Sequence, residues 1–298
     1  MINIKLIIII NLLILTFALL LTKDIINFYT IKNKGIFSPR IIISLTTSPK
    51  RIKKIDNVID SILNQTVEVD YIHLNLPHVF KRDNSRFKEI PQYLIDNPKV
   101  ILNFCEDLGP ATKIIPTVKS NFTNYSDIII SIDDDTYYPP NLVENHIYYH
   151  SFYPNAVLTG TSIFLDHKKR YMDTLIKCEL LEGFSSVLYK KSFLENIPLD
   201  IFDKQSVPIY HYLSDDLVLS NYILKSGIEI ICLTKENKAI NSIKQFDFGF
   251  KNDALHKGAT GAADCKINTD CNKSNYIKTM KYLKEIGDYN FSKNYLTG

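Results

Sequence analysis

The chain has 298 residues, and its apolar content of 45% is ample for the core of one large domain or two small ones. The formal net charge is only +3, and the absence of a basic tract argues against a nucleic-acid partner. The cysteine spacing matches no zinc site; the five positions are Cys105, Cys178, Cys232, Cys265 and Cys271. Cys265 and Cys271 flank a polar loop and could form a disulfide in an oxidising lumen.

The first 22 residues are predicted to form a membrane anchor. Leu6 to Thr22 carries no charge, and it reaches the lower end of the roughly 17–25 residues that span a bilayer as a helix. A cleaved signal peptide is the alternative, although its apolar core is about 7–15 residues long and no small-x-small pattern precedes Lys23. We therefore expect an anchor at 1–22, a short stem at 23–39, a main domain at 40–262 and a polar C-terminal tail at 263–298.

Strands and helices alternate in the first half of the main domain. Ser48-Pro49 provides an N-cap and a first-turn proline before a run of apolar residues at helical spacing, and Gly109-Pro110 opens another helix. A short helix is expected near 90–95. Buried strands are predicted at 40–47, 69–76, 100–104 and 128–132. This alternation predicts an α/β fold with a mostly parallel sheet and helices on both faces.

The second half of the main domain is less regular. Strands are predicted at 156–163, 182–189 and 228–233. A helix is expected to begin after Ser214 with Asp215-Asp216 in its first turn and to end at Gly227.

Three consecutive carboxylates, Asp133, Asp134 and Asp135, follow the strongly apolar strand that ends at Ile132. Adjacent carboxylates repel one another, so a fold that places them at a strand end usually supplies a cation there. Hard oxygen ligands suit Mg²⁺ or Mn²⁺, ions that commonly hold a phosphorylated substrate. The alternative is a solvated acidic turn.

Other polar segments are predicted to lie at the same edge of the sheet as these aspartates. In open α/β sheets, ligands bind beyond the carboxyl ends of the strands. Thr46-Thr47 ends the first predicted strand, and the Gly109 loop follows the third. The shared position of these three segments predicts one binding cleft.

Three motifs in this order resemble the GT-A fold glycosyltransferases. They are the aspartate triplet after an apolar strand, Gly183-Phe184-Ser185-Ser186 in the middle, and Asp215-Asp216 at the start of a later helix. The resemblance covers roughly residues 40–260 and is to family 2-like nucleotide-sugar transferases and related membrane-anchored enzymes. It implies a Rossmann-like nucleotide-binding half followed by an acceptor half.

The resemblance also implies roles for the acidic residues. Asp133 would approach the nucleoside and share a divalent metal with Asp135, the metal bridging the donor's diphosphate, while Asp134 could serve either task. Asp216 or Asp215 would be the general base on an acceptor hydroxyl, and we prefer Asp216. The family pattern there is usually Glu-Asp, whereas this chain has Asp-Asp. The alternative for this pair is that both carboxylates complement the helix dipole next to an N-capping serine.

Several further residues are candidates for holding the donor. Lys113, with the amides of its Gly109 loop, is placed to meet phosphate, although a plain turn and helix start is equally compatible with the pattern. Asp107 is a candidate for the donor's base or ribose, Thr46 for the nucleotide, and Gly183 for a close backbone approach. His256 could be a third metal ligand, with Lys257 pairing a phosphate.

The histidine pair His146 and His150 is spaced i,i+4 but lacks the intervening Glu of a zincin, so we interpret both as ordinary helix positions.

The sequence thus predicts a metal-dependent, membrane-anchored glycosyltransferase, using Mn²⁺ or Mg²⁺, a nucleotide-sugar donor and a glycan, protein or lipid acceptor. We expect inversion if Asp216 is the base and a type II orientation with a lumenal catalytic domain. A metal-dependent phosphotransferase or nuclease, or a non-catalytic anchored lectin or scaffold, is the alternative. No Walker-type glycine loop supports phosphotransfer.

Overall fold

The structure is a computed structural model that describes residues 10–18, 22, 39–162, 165–172, 175–233, 242–245 and 271–292. In these residues the strands are β1 (Ile41–Thr46), β2 (Tyr71–Pro77), β3 (Val100–Cys105), β4 (Ile128–Ser131), β5 (Thr136–Tyr137), β6 (Ala156–Thr159), β7 (Leu165–Met172), β8 (Leu175–Cys178), β9 (Val187–Lys190), β10 (Glu229–Leu233) and β11 (Lys244–Gln245). From residue 39 onwards, the α-helices are α1 (Asp56–Leu63), α2 (Gln92–Ile95), α3 (Ile115–Lys119), α4 (Leu142–Phe152), α5 (Lys191–Leu194), α6 (Ile209–Tyr212), α7 (Asp215–Lys225) and α8 (Cys271–Glu285).

One sheet organises the described part of the chain, with strand order β3-β2-β1-β4-β9-β6-β10-β8-β7. Strands β1 to β4 are mutually parallel, and Ile41 of β1 lies opposite Ile128 of β4. Both of these strands are buried along their apolar runs, as expected when helices cover the two faces of a parallel sheet. The predicted α/β class and the parallel first half are confirmed.

The second half of the sheet is mixed rather than parallel. Strand β9 runs antiparallel between β4 and β6, and β8 is antiparallel to β10. The strand predicted at 182–189 is shorter, because Gly183–Ser185 forms a 3-10 turn closed by the Ser186 amide on the Gly183 carbonyl at 3.1 Å. Ser186 has φ of +79°, a conformation rare for a residue with a side chain. Apolar content alone did not reveal that turn.

Two apolar clusters lie on opposite faces of the sheet. Ile128 and Ile130 belong to one, and Ile129 to the other, as strand alternation requires. Helices α1 and α4 pack on the first face, and α3 and α7 on the second. This arrangement confirms the prediction of helices on both faces.

Residues 271–292 continue the folded unit beyond the boundary expected at residue 262. Met280, Leu283 and Phe291 are buried with Leu180 and Leu217 in a third apolar cluster. We expected a polar tail at 263–298 because these apolar side chains are dispersed among lysines and asparagines. Their spacing nevertheless gives α8 one buried face.

The predicted membrane anchor falls mostly outside the described residues. Residues 10–18 are helical with exposed apolar side chains, including Leu13 and Phe17. Among the helices that the structure describes, none combines the length and the apolar character needed to cross a bilayer. The stem at 23–39 is described only at residue 39, and Cys265 of the suggested disulfide is not described.

Candidate functional site

The carboxyl edge of the sheet brings the predicted polar segments together, because each segment directly follows a strand or begins a helix there. The loop after β1 carries Thr47 and Arg51, the loop after β3 carries Lys113, and the acidic triplet follows β4. From the other half of the sheet, the 3-10 turn at Gly183 and the first turn of α7 reach the same place.

Lys113 is the centre of this site. Its Nζ lies 3.1 Å from Asp133 Oδ1, 3.1 Å from Asp215 Oδ2 and 3.6 Å from Asp216 Oδ1. Burial alone would lower the pKa of Lys113, but the three carboxylates outweigh burial and raise the pKa well above its ordinary value. Lys113 therefore stays charged, and it links the acidic triplet of one half to the acidic pair of the other.

Asp216 begins α7 but is engaged in tertiary contacts. Its Oδ1 accepts the Gly183 amide at 3.1 Å, and its Oδ2 accepts the Tyr276 hydroxyl at 3.4 Å. Burial, followed by repulsion from Asp215, raises the pKa of Asp216 to about 8. A carboxyl group held in place with a pKa near neutrality has the properties of a general base.

Helix capping does not account for the acidic pair. The Ser214 side chain makes no capping hydrogen bond to α7, and its Oγ donates instead to the Tyr210 carbonyl at 2.7 Å. Asp215 is 6% exposed and turns towards Lys113. Both carboxylates therefore face Lys113, in addition to any favourable interaction that they have with the dipole of α7.

Gly183 occupies a position with no space for a side chain. A Cβ there would overlap Lys113 Nζ and would lie 2.8 Å from Lys113 Cε and 2.9 Å from Asp216 Oδ1. The backbone of Gly183 therefore makes the close approach expected of it, and the groups that it approaches are the side chains of Lys113 and Asp216.

Asp134 is fully engaged inside the protein. Its Oδ2 accepts the Thr47 hydroxyl at 2.6 Å and its Oδ1 accepts Arg51 Nη1 at 2.7 Å. Arg51 also reaches Asp135 Oδ2 at 3.4 Å. Asp134 thus fastens the β4 loop to the β1 loop.

Asp133 and Asp135 flank this anchored residue. The Asp133 side chain is 31% exposed, and its amide donates to the Tyr138 hydroxyl, which in turn donates to the Phe184 carbonyl. Asp135 is more buried, and burial together with repulsion from Asp134 and Asp133 raises its pKa to about 7. Asp134 and Asp135 are both buried, so the triplet is not a solvated acidic turn.

The donor set of Asp133 and Asp135 fits Mg²⁺ or Mn²⁺, both of which prefer carboxylate oxygens. Within the ranges described, no group of three or more His, Cys, Asp or Glu side chains is arranged to hold a metal. Mg²⁺ characteristically takes one or two protein carboxylates and completes its shell with substrate phosphates and water. A site with two protein carboxylates agrees with that preference.

The remaining predicted donor contacts have other tasks or lie elsewhere. Asp107 is 2% exposed and accepts the amides of Lys81 at 2.6 Å and Gly109 at 2.8 Å, so it ties two loops together. Thr46 Oγ1 donates to the Asn75 carbonyl at 2.8 Å. His256 and Lys257 lie outside the described residues.

The two histidines interpreted as helix positions are buried in α4, and His146 Nε2 lies 2.8 Å from Ser186 Oγ.

Three residues of the site were not anticipated from the sequence. Arg51 lies in the loop that follows β1, one turn after Ser48-Pro49. Because this loop starts at the carboxyl edge of the sheet, as the triplet does, the contact between them could have been anticipated. Tyr276 comes from α8, and no sequence signal places it beside Asp216. Arg82 follows β2 in a segment that reads only as polar, and its electrostatic neighbours are Tyr212, Asp107, Arg51 and Asp215.

Comparisons with known proteins find similarity in structure but none in sequence. No protein-family model matches the chain, and no curated protein matches its sequence. A crystal structure of S. aureus TarS 1-349 is similar with a TM-score of 0.44 and 8% sequence identity, over 82% of this chain and 70% of that chain. At this level of similarity, the likeness assigns no activity and no residue role to this chain.

Proposed function

We propose that this protein is a metal-dependent glycosyltransferase that moves a sugar from a nucleotide-sugar donor to a hydroxyl-bearing acceptor. The carrying observation is the convergence on Lys113 of Asp133 from one half of the sheet and of Asp215 and Asp216 from the other. Such a site combines a place for a diphosphate leaving group with a carboxylate suited to accept a proton.

Asp133 and Asp135 would hold the divalent ion. When bound, the ion supplies positive charge to the diphosphate that departs from the sugar. The chain's own contribution is to fix these two carboxylates: Arg51 and Thr47 hold Asp134 between them, and Tyr138 links the Asp133 amide to Phe184. Lys113, permanently charged, adds a second cation beside Asp133.

Asp216 is the proposed base. The Gly183 amide and the Tyr276 hydroxyl orient its carboxylate, and its raised pKa of about 8 makes it a stronger base than an exposed aspartate. Removal of the acceptor proton while the diphosphate leaves from the opposite face inverts the anomeric centre. Asp215, paired with Lys113, positions that lysine and has no separate task in proton transfer.

The protein is further proposed to be a type II membrane protein with a lumenal catalytic domain. The support is the uncharged run from Leu6 to Thr22, together with the helical residues 10–18, whose apolar side chains are exposed in the isolated chain. Large apolar side chains exposed in this way are stabilised by contact with lipid.

A panel of nucleotide sugars, screened by thermal shift with and without Mn²⁺, tests the proposal. At a free concentration of about 100 times Kd, a donor stabilises the folded state by about 2.7 kcal/mol. For a domain of this size that corresponds to a rise in Tm of roughly 5–10 °C. We expect such a rise for at least one donor, only with the metal present.

Matched variants sharpen the thermal-shift test. Asp135→Asn should abolish the metal-dependent rise in Tm, whereas Asp96→Asn, at an exposed position after α2, should leave it intact. Hydrolysis of phosphoesters without any nucleotide sugar would instead favour a phosphotransferase or nuclease. A protein that binds no nucleoside diphosphate with Mn²⁺ would contradict the glycosyltransferase assignment.

A further inference from the structure

The turn between Phe80 and Ser85, shortly after β2, carries Arg82, whose electrostatic neighbours include Arg51 and Asp215 of the site. It is closed by the Phe80 amide on the Ser85 carbonyl at 2.9 Å, with Asn84 at φ of +57°. Its position is fixed from outside, because the Lys81 amide donates to Asp107 Oδ2 at 2.6 Å. Lys204 Nζ donates to the Lys81 carbonyl at 3.0 Å. Arg82 is therefore presented from an anchored segment.

Arg82 makes no hydrogen bond or ion pair with the part of the chain that the structure describes, although it is half-buried. Arg86, four residues later on the same loop, is exposed and donates to the His78 carbonyl at 3.2 Å. Of these two arginines, Arg82 is nearer the site, and its guanidinium N–H groups have no hydrogen-bond acceptor among the described residues.

The acids around Arg82 are committed to other partners. Both Asp107 oxygens accept backbone amides, and Asp215 is paired with Lys113. Burial lowers the pKa of Arg82, and Arg51 lowers it further, while Tyr212, Asp107 and Asp215 only partly offset these effects. A partly desolvated cation without a hydrogen-bonded counter-charge is costly, and an incoming anion would relieve that cost.

We propose that Arg82 is an anion-binding residue of the cleft and that its ligand is a phosphate oxygen of the donor's diphosphate. This inference rests on the proposed function and specifies how the donor is held. The planar guanidinium matches phosphate oxygens in a bidentate geometry. A diphosphate is the anion that fits this cleft best, because Asp133 and Asp135 would bind the same diphosphate through a divalent ion. The diphosphate would then be held from two loops, one after β2 and one after β4.

Calorimetric titration of inorganic pyrophosphate in the presence of Mn²⁺ tests this assignment without requiring turnover. Arg82→Gln should weaken pyrophosphate binding by about 10- to 100-fold, the range for losing hydrogen bonds to a charged group. Arg86→Gln is the matched control and should bind pyrophosphate like the wild type. Arg82→Lys, which keeps the charge but loses the fork, should fall between them.

Folding and function are separated by two further measurements. Urea unfolding of Arg82→Gln should show stability equal to or above that of the wild type, because an unpaired, partly desolvated charge has been removed. Donor KM should rise in Arg82→Gln, with acceptor KM unchanged.

Three outcomes would overturn the assignment. They are pyrophosphate affinity in Arg82→Gln equal to the wild type, no pyrophosphate binding by the wild type, or a rise confined to acceptor KM, which would indicate an acceptor carboxylate instead. A wild type that binds pyrophosphate through Arg82 but transfers no sugar from any donor would refute the proposed function and leave the anion site standing.

Discussion

Replacing Gly183 by alanine should damage the site far more than the fold. The added Cβ would stand 2.8 Å from Lys113 Cε and 2.9 Å from Asp216 Oδ1, whereas ordinary contacts of a Cβ are 3.4–4 Å. Lys113 Cε and Asp216 Oδ1 must therefore retreat by about 0.5–0.6 Å, and the overlapping Lys113 Nζ must retreat further. The backbone has little freedom to yield, because Ser186 and Ser185 both close hydrogen bonds across this turn.

The displaced groups are those that carry the proposed chemistry. Overpacking of this kind costs about 1–3 kcal/mol of stability. A misplacement approaching 1 Å of a catalytic group costs up to about 100-fold in rate. We expect Gly183→Ala to lower kcat for sugar transfer by roughly 10- to 100-fold, with donor KM changed less than about twofold. Steady-state kinetics and urea unfolding give the two readouts.

A double-mutant cycle on stability tests the stated cause. With Lys113→Ala, the nearest overlapping atoms are removed, so the alanine at position 183 should cost less than about 1 kcal/mol in that background. Equal costs of Gly183→Ala in both backgrounds, or a kcat equal to that of the wild type, would refute the reasoning.

Three other outcomes follow from the contacts of the site. Asp216 keeps its proton to about pH 8 in the folded state, whereas in the unfolded state it loses the proton near pH 3.8. The free energy of unfolding should therefore fall as pH rises between these two values. In urea titrations at several pH values, Asp216→Asn should show a weaker pH dependence of the free energy of unfolding than the wild type. Tyr276→Phe removes a donor from Asp216, which should raise its pKa further and move the acid limb of the pH–rate profile upwards; an unmoved limb would exclude this positioning role. Arg51→Met leaves Asp134 without its cation and should cost about 3–5 kcal/mol in urea unfolding, against about 1 kcal/mol for Thr47→Ala; equal losses would contradict the buried pair.

The parallel half of the fold was predictable because each element carries a strong local signal. The strands β1 and β4 each begin with three consecutive isoleucines, and apolar residues at helical spacing reveal α1, although α1 begins at Asp56 and not directly after Ser48-Pro49 as expected. The rule that ligands gather at the carboxyl edge then placed Asp133 to Asp135 correctly beside the Lys113 loop. These inferences need only neighbouring residues and one topological rule.

Other features depended on tertiary contacts that no local pattern encodes. Nothing near residue 134 indicates that its carboxylate is bound by Arg51, or that Asp107 accepts the Lys81 and Gly109 amides. The contact of Tyr276 with Asp216 spans 60 residues of sequence. The antiparallel direction of β9 was not predicted, because the apolar pattern of a buried strand does not indicate the direction in which the strand runs in the sheet.

The central claim is that a divalent ion, held by Asp133 and Asp135, joins a sugar donor's diphosphate to this cleft. Its most direct test is sugar transfer from the donor that the panel identifies, measured with Mn²⁺ and with chelator, for wild type and Asp135→Asn. We expect transfer by the wild type only with Mn²⁺, and none by Asp135→Asn under either condition. Transfer by Asp135→Asn at the wild-type rate would contradict it.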